Sequence, residues 1–171
     1  MLLRLAGGLL VCLSCTLLGL YMAEKGLRRA ALMLELKRTL LMLKSEIEYA
    51  IYPLPQAFAN ISSRAAQPFG DFYSLIVDRL ASKEQNIAQA WEQGLDPLAQ
   101  TQLCKEDLAV IKALGRALGN IDAAAQISAI GMTVLELDSI LNKLDAENAK
   151  NVKMYRGLGI LGGLLITVVL L

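Results

Sequence analysis

The chain has 171 residues, 55% of them hydrophobic, and its 17 basic residues nearly balance its 16 acidic ones. This balance argues against a nucleic-acid-binding protein, because such proteins present an excess of Lys and Arg to the phosphates. The chain contains no histidine, which removes the commonest general base and the commonest transition-metal ligand. Together these limits favour a non-enzymatic protein with no metal, no cofactor and no small-molecule substrate.

The first apolar stretch, residues 1–23, is predicted to be a transmembrane helix. Leu2–Met22 is apolar apart from Arg4, and as a helix it would rise roughly 31 Å, close to the thickness of a bilayer's hydrocarbon core. A cleaved signal peptide is the alternative, but the positive region is only Arg4 and no small-residue cleavage site stands out. The spacing of Cys12 and Cys15 suits a redox pair, and lipidation of Cys15 is a further alternative. On an apolar helix, however, cysteines usually serve as small packing residues.

The last stretch, residues 154–171, is predicted to be a second transmembrane helix. Residues 157–171 would rise only about 22 Å as a helix, so the span must draw in preceding residues, thin the bilayer or pack on a neighbour. Gly159 and Gly163 are four residues apart, a spacing that lets transmembrane helices approach closely. The string that begins at Gly157 also matches a dinucleotide-binding fingerprint, but that motif requires a preceding strand and a later acidic residue. We therefore expect Gly159 and Gly163 to pack helices.

Basic residues at the inner ends of both spans predict the orientation. They are Lys25, Arg28 and Arg29 after the first span, and Lys150, Lys153 and Arg156 before the second. By the positive-inside rule, the central domain, residues 24–153, is expected in the cytosol, and both termini are expected at the outer face.

The central domain is predicted to be all-α, an antiparallel bundle of about six helices between the two transmembrane helices. Its first helix runs through residues 24–51 and its last begins after an Asn120 cap. The inward stripe of the first helix is Met33, Leu36, Leu40, Leu43, Ile47, Ala50 and Leu54, and that of the last is Ala123, Ile127, Ile130, Val134, Leu137, Leu141 and Leu144. We expect these two helices to pack against each other by their stripes, which brings both membrane ends to one side.

Four shorter helices are expected between the two long ones. They are residues 56–64, a helix that follows Pro68 and carries Phe72 and Ile76, a short helix capped by Asn86, and residues 105–118. Asp96 and Pro97 are expected to mark a turn.

Two features of this domain are candidate partner-binding residues. Pro53, Leu54 and Pro55 break the first long helix, because proline restricts the residue before it, and this corner is also a candidate docking surface. Trp91 is the sole tryptophan, and both core packing and a role as a partner-binding anchor are open for it.

Four acidic residues are the candidates for acid–base catalysis: Glu46, Glu48, Asp107 and Asp122. No apolar pocket or conjugate partner for them is visible in the sequence, so solvated charges or helix caps explain them more simply. Cys104 is expected to be an ordinary thiol.

Several of these segments together resemble the stage III sporulation protein AB family of endospore-forming bacteria. The resemblance covers essentially the whole chain, and its closing segment is the most specific part. One departure is Gly157, where serine is usual in the family. The matching segments are Ser45–Tyr49, Pro53–Ala57, Ala90–Trp91, Leu114–Gly119, Asp122, Gln126 and Asn151–Gly159.

The resemblance implies a component of the channel between the mother cell and the forespore, in the mother-cell-side membrane around the forespore. It also implies a cytosolic domain similar to the helical domains of type II secretion and type IV pilus inner-membrane platform proteins. The implied partners are a cytosolic secretion-type ATPase, the membrane and other sporulation channel subunits. The resemblance implies no catalytic residues in this chain.

Three hypotheses follow from the sequence. The first is a non-enzymatic membrane platform or scaffold subunit that links the ATPase to the membrane subunits. The second is a membrane-associated helical regulatory or dimerisation module. The third is an exported domain that is released after signal cleavage.

Overall fold

The computed structural model describes the backbone of residues 2–82, 86–119 and 122–170, and the side chains of residues 21, 24–82, 86–119, 122–150 and 154. Every regular element in these residues is an α-helix, which confirms the predicted all-α class. The helices are α1 (Leu2–Glu48), α2 (Leu54–Ser62), α3 (Phe69–Ala81), α4 (Ile87–Gln93), α5 (Asp96–Ala99), α6 (Lys105–Leu118) and α7 (Ala123–Leu170).

Local sequence explains where the shorter helices begin. The Asn86 side chain accepts the Gln89 N–H at 2.9 Å at the start of α4, and the Asp107 carboxylate accepts the Cys104 N–H at 3.0 Å at the start of α6. Each bond satisfies a backbone donor that a helix end leaves without an intrahelical partner. Pro55 lies in the first turn of α2, as predicted, because the fixed φ of proline suits a helix entrance. The helix expected over residues 56–64 nevertheless spans Leu54–Ser62, directly after Pro53.

Two further predicted boundaries are wrong, and a third lies outside the described residues. The helix expected over residues 24–51 ends at Glu48, so Ala50 is exposed rather than inward-facing. The turn expected at Asp96 and Pro97 is the short helix α5, since proline is compatible with a first helical turn. The expected Asn120 cap lies outside the described residues, and Asp122 accepts the Ala125 N–H at 3.0 Å at the start of α7.

The chain divides into two compact units, Met1–Ala30 with Asn142–Leu171 and Ala31–Leu141. In the first unit, Arg28 pairs with Glu24 at 2.6 Å, and the Asn148 side chain lies directly against Gly26. The core of the second unit contains the stripe predicted for α1, because Met33, Leu36, Leu40, Leu43 and Ile47 are all buried. The stripe predicted for α7 is less complete: Ile130, Leu137 and, in the first unit, Leu144 are buried, whereas Ala123 is exposed.

Aromatic rings fill the centre of the second unit. Trp91 packs at centroid distances of 5.8 Å from Phe58 and 4.9 Å from Phe72, and Tyr73 lies 5.0 Å from Phe72. The Trp91 Nε1–H donates to the Ile111 carbonyl at 2.8 Å, so its one polar atom is satisfied in the core. Gly115 on α6 leaves room for the indole, since a Cβ there would overlap it.

One stretch of the described residues, Ala123–Lys150 of α7, is long and apolar enough to cross a membrane by length and composition alone. The core helix of a soluble domain passes the same test, and Ile130 and Leu137 of this stretch are buried in the helical core. The stretch is therefore only a weak indication of membrane association. The predicted spans, residues 1–23 and 154–171, lie outside the residues whose side chains are described, except for Tyr21 and Met154.

Candidate docking site

The break between α1 and α2, residues 49–55, is called the corner below. After the last residue of α1, the Tyr49 N–H donates to the Ser45 carbonyl at 3.0 Å, and the Tyr52 N–H donates to the Glu46 carbonyl at 3.2 Å. Ile51 lies between them with φ of 55°. This left-handed conformation is unfavourable for a β-branched residue, whose Cβ crowds the backbone.

The corner presents large apolar side chains to solvent. The exposed fractions are 77% for Tyr49, 82% for Ile51 and 45% for Tyr52. A strained and almost fully exposed isoleucine contributes little to the core, and strain of this kind concentrates at functional sites. The corner is therefore a candidate docking surface.

A concave pocket of about 460 Å³ opens at the corner. It lies in the second compact unit, and its lining residues are mainly apolar. They are Ile47, Ile51, Tyr52, Pro53, Leu54, Pro55, Ile87, Ala123 and Gln126. A concave apolar surface can receive an apolar side chain of a partner, which is how buried anchors bind at protein interfaces.

The three predicted residues of the corner have different roles. Leu54 is only 5% exposed, and it anchors the start of α2 in the core. Pro53 and Pro55 are exposed, and the Pro53 carbonyl accepts the N–H groups of Gln56 and Ala57 at 2.9 and 3.0 Å. The buried Leu54 side chain and the first turn of α2 therefore fix the position of the exposed prolines.

A polar contact fixes α2 against the last turns of α1. The Glu46 carboxylate accepts a hydrogen bond from the Asn60 amide at 3.0 Å and pairs with Arg64 at 3.4 Å. Both contacts join residues that lie on either side of the corner. Since charge-assisted hydrogen bonds are stronger than neutral ones, they set the direction in which α2 leaves the corner.

Trp91 is not part of this surface. Its exposed fraction is 0%, and its ring edge is bonded to the Ile111 carbonyl. Of the two alternatives open for Trp91, the structure supports core packing, and its prediction as a partner-binding residue is corrected.

The four acidic candidates for catalysis all have structural contacts. Glu46 braces α2, Glu48 lies 4.0 Å from Lys44, and Asp107 and Asp122 cap helices. Among the described residues, no group of three or more His, Cys, Asp or Glu side chains is arranged to hold a metal ion. Cys104 begins α6, and burial raises the pKa of its thiol above the ordinary value.

The residues predicted to set the membrane orientation are described in part. Lys25, Arg28 and Lys150 are exposed, and the Lys25 ammonium lies 4.9 Å from the centroid of the Tyr21 ring. Arg29 is partly buried. The other predicted residues lie outside the described side chains: Lys153 and Arg156, and the packing glycines Gly159 and Gly163.

Sequence reasoning missed the most exposed part of the corner, namely Tyr49, Ile51 and Tyr52. The helical periodicity continued through these residues and placed Ala50 inward. The available signal was the run of large apolar residues directly before Pro53. Such a run at a helix end predicts either a buried cap or an exposed patch, and the pattern alone does not separate them.

Three comparisons with known proteins point to the same family. The family model for stage III sporulation protein AB matches residues 4–171. The chain is 31% identical over 170 residues to stage III sporulation protein AB of Bacillus subtilis strain 168, and the match covers 99% of each chain. A solved structure of a stage III sporulation protein AB aligns with a TM-score of 0.66 and 27% identity, covering 71% of this chain and 97% of the solved one. The chain therefore belongs to the stage III sporulation protein AB family.

Proposed function

We propose that this protein is a non-enzymatic platform subunit of a sporulation channel, anchored in the membrane at both ends. In this account, residues 24–153 lie in the cytosol and the corner docks a secretion-type ATPase. The apolar ends of the chain pack on other channel subunits, with Gly159 and Gly163 as the contact positions. Family membership supports a role in a multi-subunit sporulation complex.

The observation that carries the docking role is the exposure of Tyr49 and Ile51 beside the apolar pocket. Exposed aromatic and aliphatic side chains around a concave centre are typical of the few residues that dominate binding energy at an interface. The Leu54 anchor and the Glu46 contacts hold this surface rigid, so little conformational entropy is lost when a partner binds.

The experiment measures binding of the full chain in lipid nanodiscs to the secretion-type ATPase encoded in the same genome. The test variant is Ile51→Asp. Aspartate tolerates the left-handed conformation better than isoleucine does, so the fold is kept while an apolar contact is replaced by a charge. We expect the affinity to fall about 30-fold, as for loss of a residue worth roughly 2 kcal/mol of binding energy.

The matched control is Leu41→Asp, which places the same charge on an exposed leucine of α1 that is 46% accessible. We expect this variant to bind like the unaltered protein. Equal binding by Ile51→Asp and the unaltered protein would remove the corner from the docking role. No binding by the unaltered protein would contradict the ATPase link as a whole.

A further inference from the structure

The outer face of α7 consists of Ala124, Ser128, Met132, Leu135 and Ser139. All five residues are exposed, and the exposed fractions of Met132 and Leu135 are 71% and 70%. They lie opposite the stripe that Ile130 and Leu137 bury in the core, as the helical repeat requires. Two large apolar side chains are thus presented to solvent one turn apart.

This face departs from the usual chemistry of a solvated helix. A helix on the surface of a soluble domain normally carries charged residues on its outer side, but no Lys, Arg, Asp or Glu occurs from Ala123 to Leu135. As a result, the apolar window of Ala123–Lys150 has a mean hydropathy of 1.3, although only 22% of it is buried. Folding of the described residues leaves this apolar surface uncovered.

The small residues on this face favour a second helix as the covering group. Ala124 and Ser128 are four residues apart, and a Cβ added at the neighbouring Gly131 would meet no atom within 4 Å. Small side chains let two helix backbones approach closely, with larger side chains packing beside them. A helix that lies on a lipid surface instead carries Lys or Arg beside its apolar face, together with large anchors such as Trp or Phe.

The lack of charge at the centre of this face allows a second copy of the chain to supply that helix. A two-fold dimer in which the two copies of α7 run parallel places each residue of the face near its own copy, so a charged residue at the centre would meet a like charge. The centre of the outer face of α7 has no such residue, and the exposed Glu136 lies at the edge of the face, one turn from Met132. By contrast, the exposed leucines of α1, Leu34 and Leu41, have the 62% exposed Arg38 between them, and pairing that face with itself would bring two guanidinium groups together.

We propose that the outer face of α7 is a homodimer interface, at which Met132 and Leu135 of one copy pack against the same face of a second copy. Standard stable interfaces use roughly 20–30 residues a side, so a face built on one helix would pair weakly in dilute solution. Confinement in one membrane raises the effective concentration of the copies. That confinement rests on the anchorage proposed above, whereas the pairing of the faces does not.

The test is disulfide cross-linking of the full chain in isolated membranes. The native Cys12, Cys15 and Cys104 are replaced by serine, and single cysteines are introduced as Met132→Cys or Leu135→Cys. The matched control is Leu41→Cys, a similarly exposed leucine on α1. Under mild oxidation by copper phenanthroline, we expect covalent dimers from both α7 variants and none from the α1 variant.

A charge-rescue experiment separates a specific interface from random collision. Ser128→Glu in the Leu135→Cys background should slow dimer formation about tenfold, because the carboxylates introduced in the two copies would repel each other across the interface. Coexpression of that chain with a Ser128→Lys, Leu135→Cys chain should restore cross-linking between the two. Absence of α7 cross-links, or equal yields from α7 and α1, would overturn the interface, and so would a failure of the rescue.

The same samples distinguish this inference from the proposed function. Each is divided into membrane and soluble fractions before oxidation. Protein in the soluble fraction that still cross-links through α7 would contradict the anchored platform and support the dimer. Protein in the membrane fraction without α7 cross-links would leave the platform in place and overturn the dimer.

Discussion

At the scale of single residues, two glycines in the interiors of helices have opposite surroundings. A Cβ at Gly115 would overlap the Trp91 indole, whereas a Cβ at Gly131 would have no neighbour within 4 Å. Both lie inside helices, where glycine costs about 0.5–1 kcal/mol relative to alanine. Helix propensity is therefore the same at both positions, and the different effects of an added methyl group on stability come from packing.

We expect Gly115→Ala to destabilise the fold by about 1–3 kcal/mol, because it overpacks a filled core. Gly131→Ala should stabilise it by about 0.5–1 kcal/mol, because it restricts the unfolded chain at no steric cost. Urea unfolding of the full chain in micelles measures both, with fluorescence of the sole tryptophan as the probe. Destabilisation by both variants to the same extent would contradict the assigned contact with Trp91.

Tyr73 is the residue at which burial most clearly affects ionisation. Its hydroxyl donates to Thr39 Oγ1 at 3.2 Å, and its exposed fraction is 0%. Burial raises the pKa of Tyr73 above its ordinary value of 10.0, and the hydrogen bond with Thr39 offsets the rise only in part. The neutral phenol is therefore favoured in the folded state.

The pH dependence follows from this raised pKa. Below about pH 10 the phenol is neutral in both states, so its contribution to stability is fully present. As the pH rises further, the unfolded chain loses the Tyr73 proton while the folded chain keeps it, so stability falls by up to about 1.4 kcal/mol per pH unit. We expect Tyr73→Phe to weaken this alkaline loss in urea unfolding between pH 8 and 11. An unchanged pH profile would show that Tyr73 ionises alike in both states.

At the scale of the elements, the sequence predicted the buried faces better than the helix ends. The stripe from Met33 to Ile47 follows from the 3.6-residue repeat, because a helix that packs along its whole length must keep its apolar residues on one side. The end of α1 depends instead on the backbone at Ile51, which periodicity does not encode. The same limit applies to α7, where Met132 and Leu135 are as apolar as the buried stripe and only the fold shows that they are exposed.

The corner allows a prediction that separates stability from binding. Ile51→Gly removes the strain of φ 55° at an almost fully exposed position, so we expect the free energy of unfolding to rise by about 0.5–1 kcal/mol. Ile51→Ala is the control, because it trims the side chain but keeps a Cβ. Both variants should bind the proposed ATPase less tightly, while glycine alone stabilises the fold. A loss of stability in Ile51→Gly would show that the Ile51 side chain contributes to folding.

At the scale of the whole molecule, the family and the all-α architecture could be predicted from the sequence. The resemblance was carried by segments spread along the chain, from Ser45–Tyr49 to Asn151–Gly159, and such spread is hard to produce by chance. Partner contacts could not be predicted in the same way, because an interface is defined by exposed residues from separate elements. The corner is an example, since Ile51, Ile87 and Gln126 become neighbours at one pocket only after folding.

The membrane arrangement is the central claim of the proposed function, and it rests on the apolar ends and their basic flanks. Ser82 follows α3 and is exposed, so a cysteine there reports the side of the membrane on which the helical domain lies. Leu171→Cys, at the other side in this account, is the matched control. In both variants the native cysteines are replaced.

Labelling of intact cells with a membrane-impermeant thiol reagent tests this claim most directly, with lysed cells as the reference. The account predicts that Ser82→Cys is protected until lysis and that Leu171→Cys is labelled in intact cells. Labelling of Ser82→Cys in intact cells would place the helical domain outside the cytosol, beyond the reach of an ATPase, and would contradict the platform function.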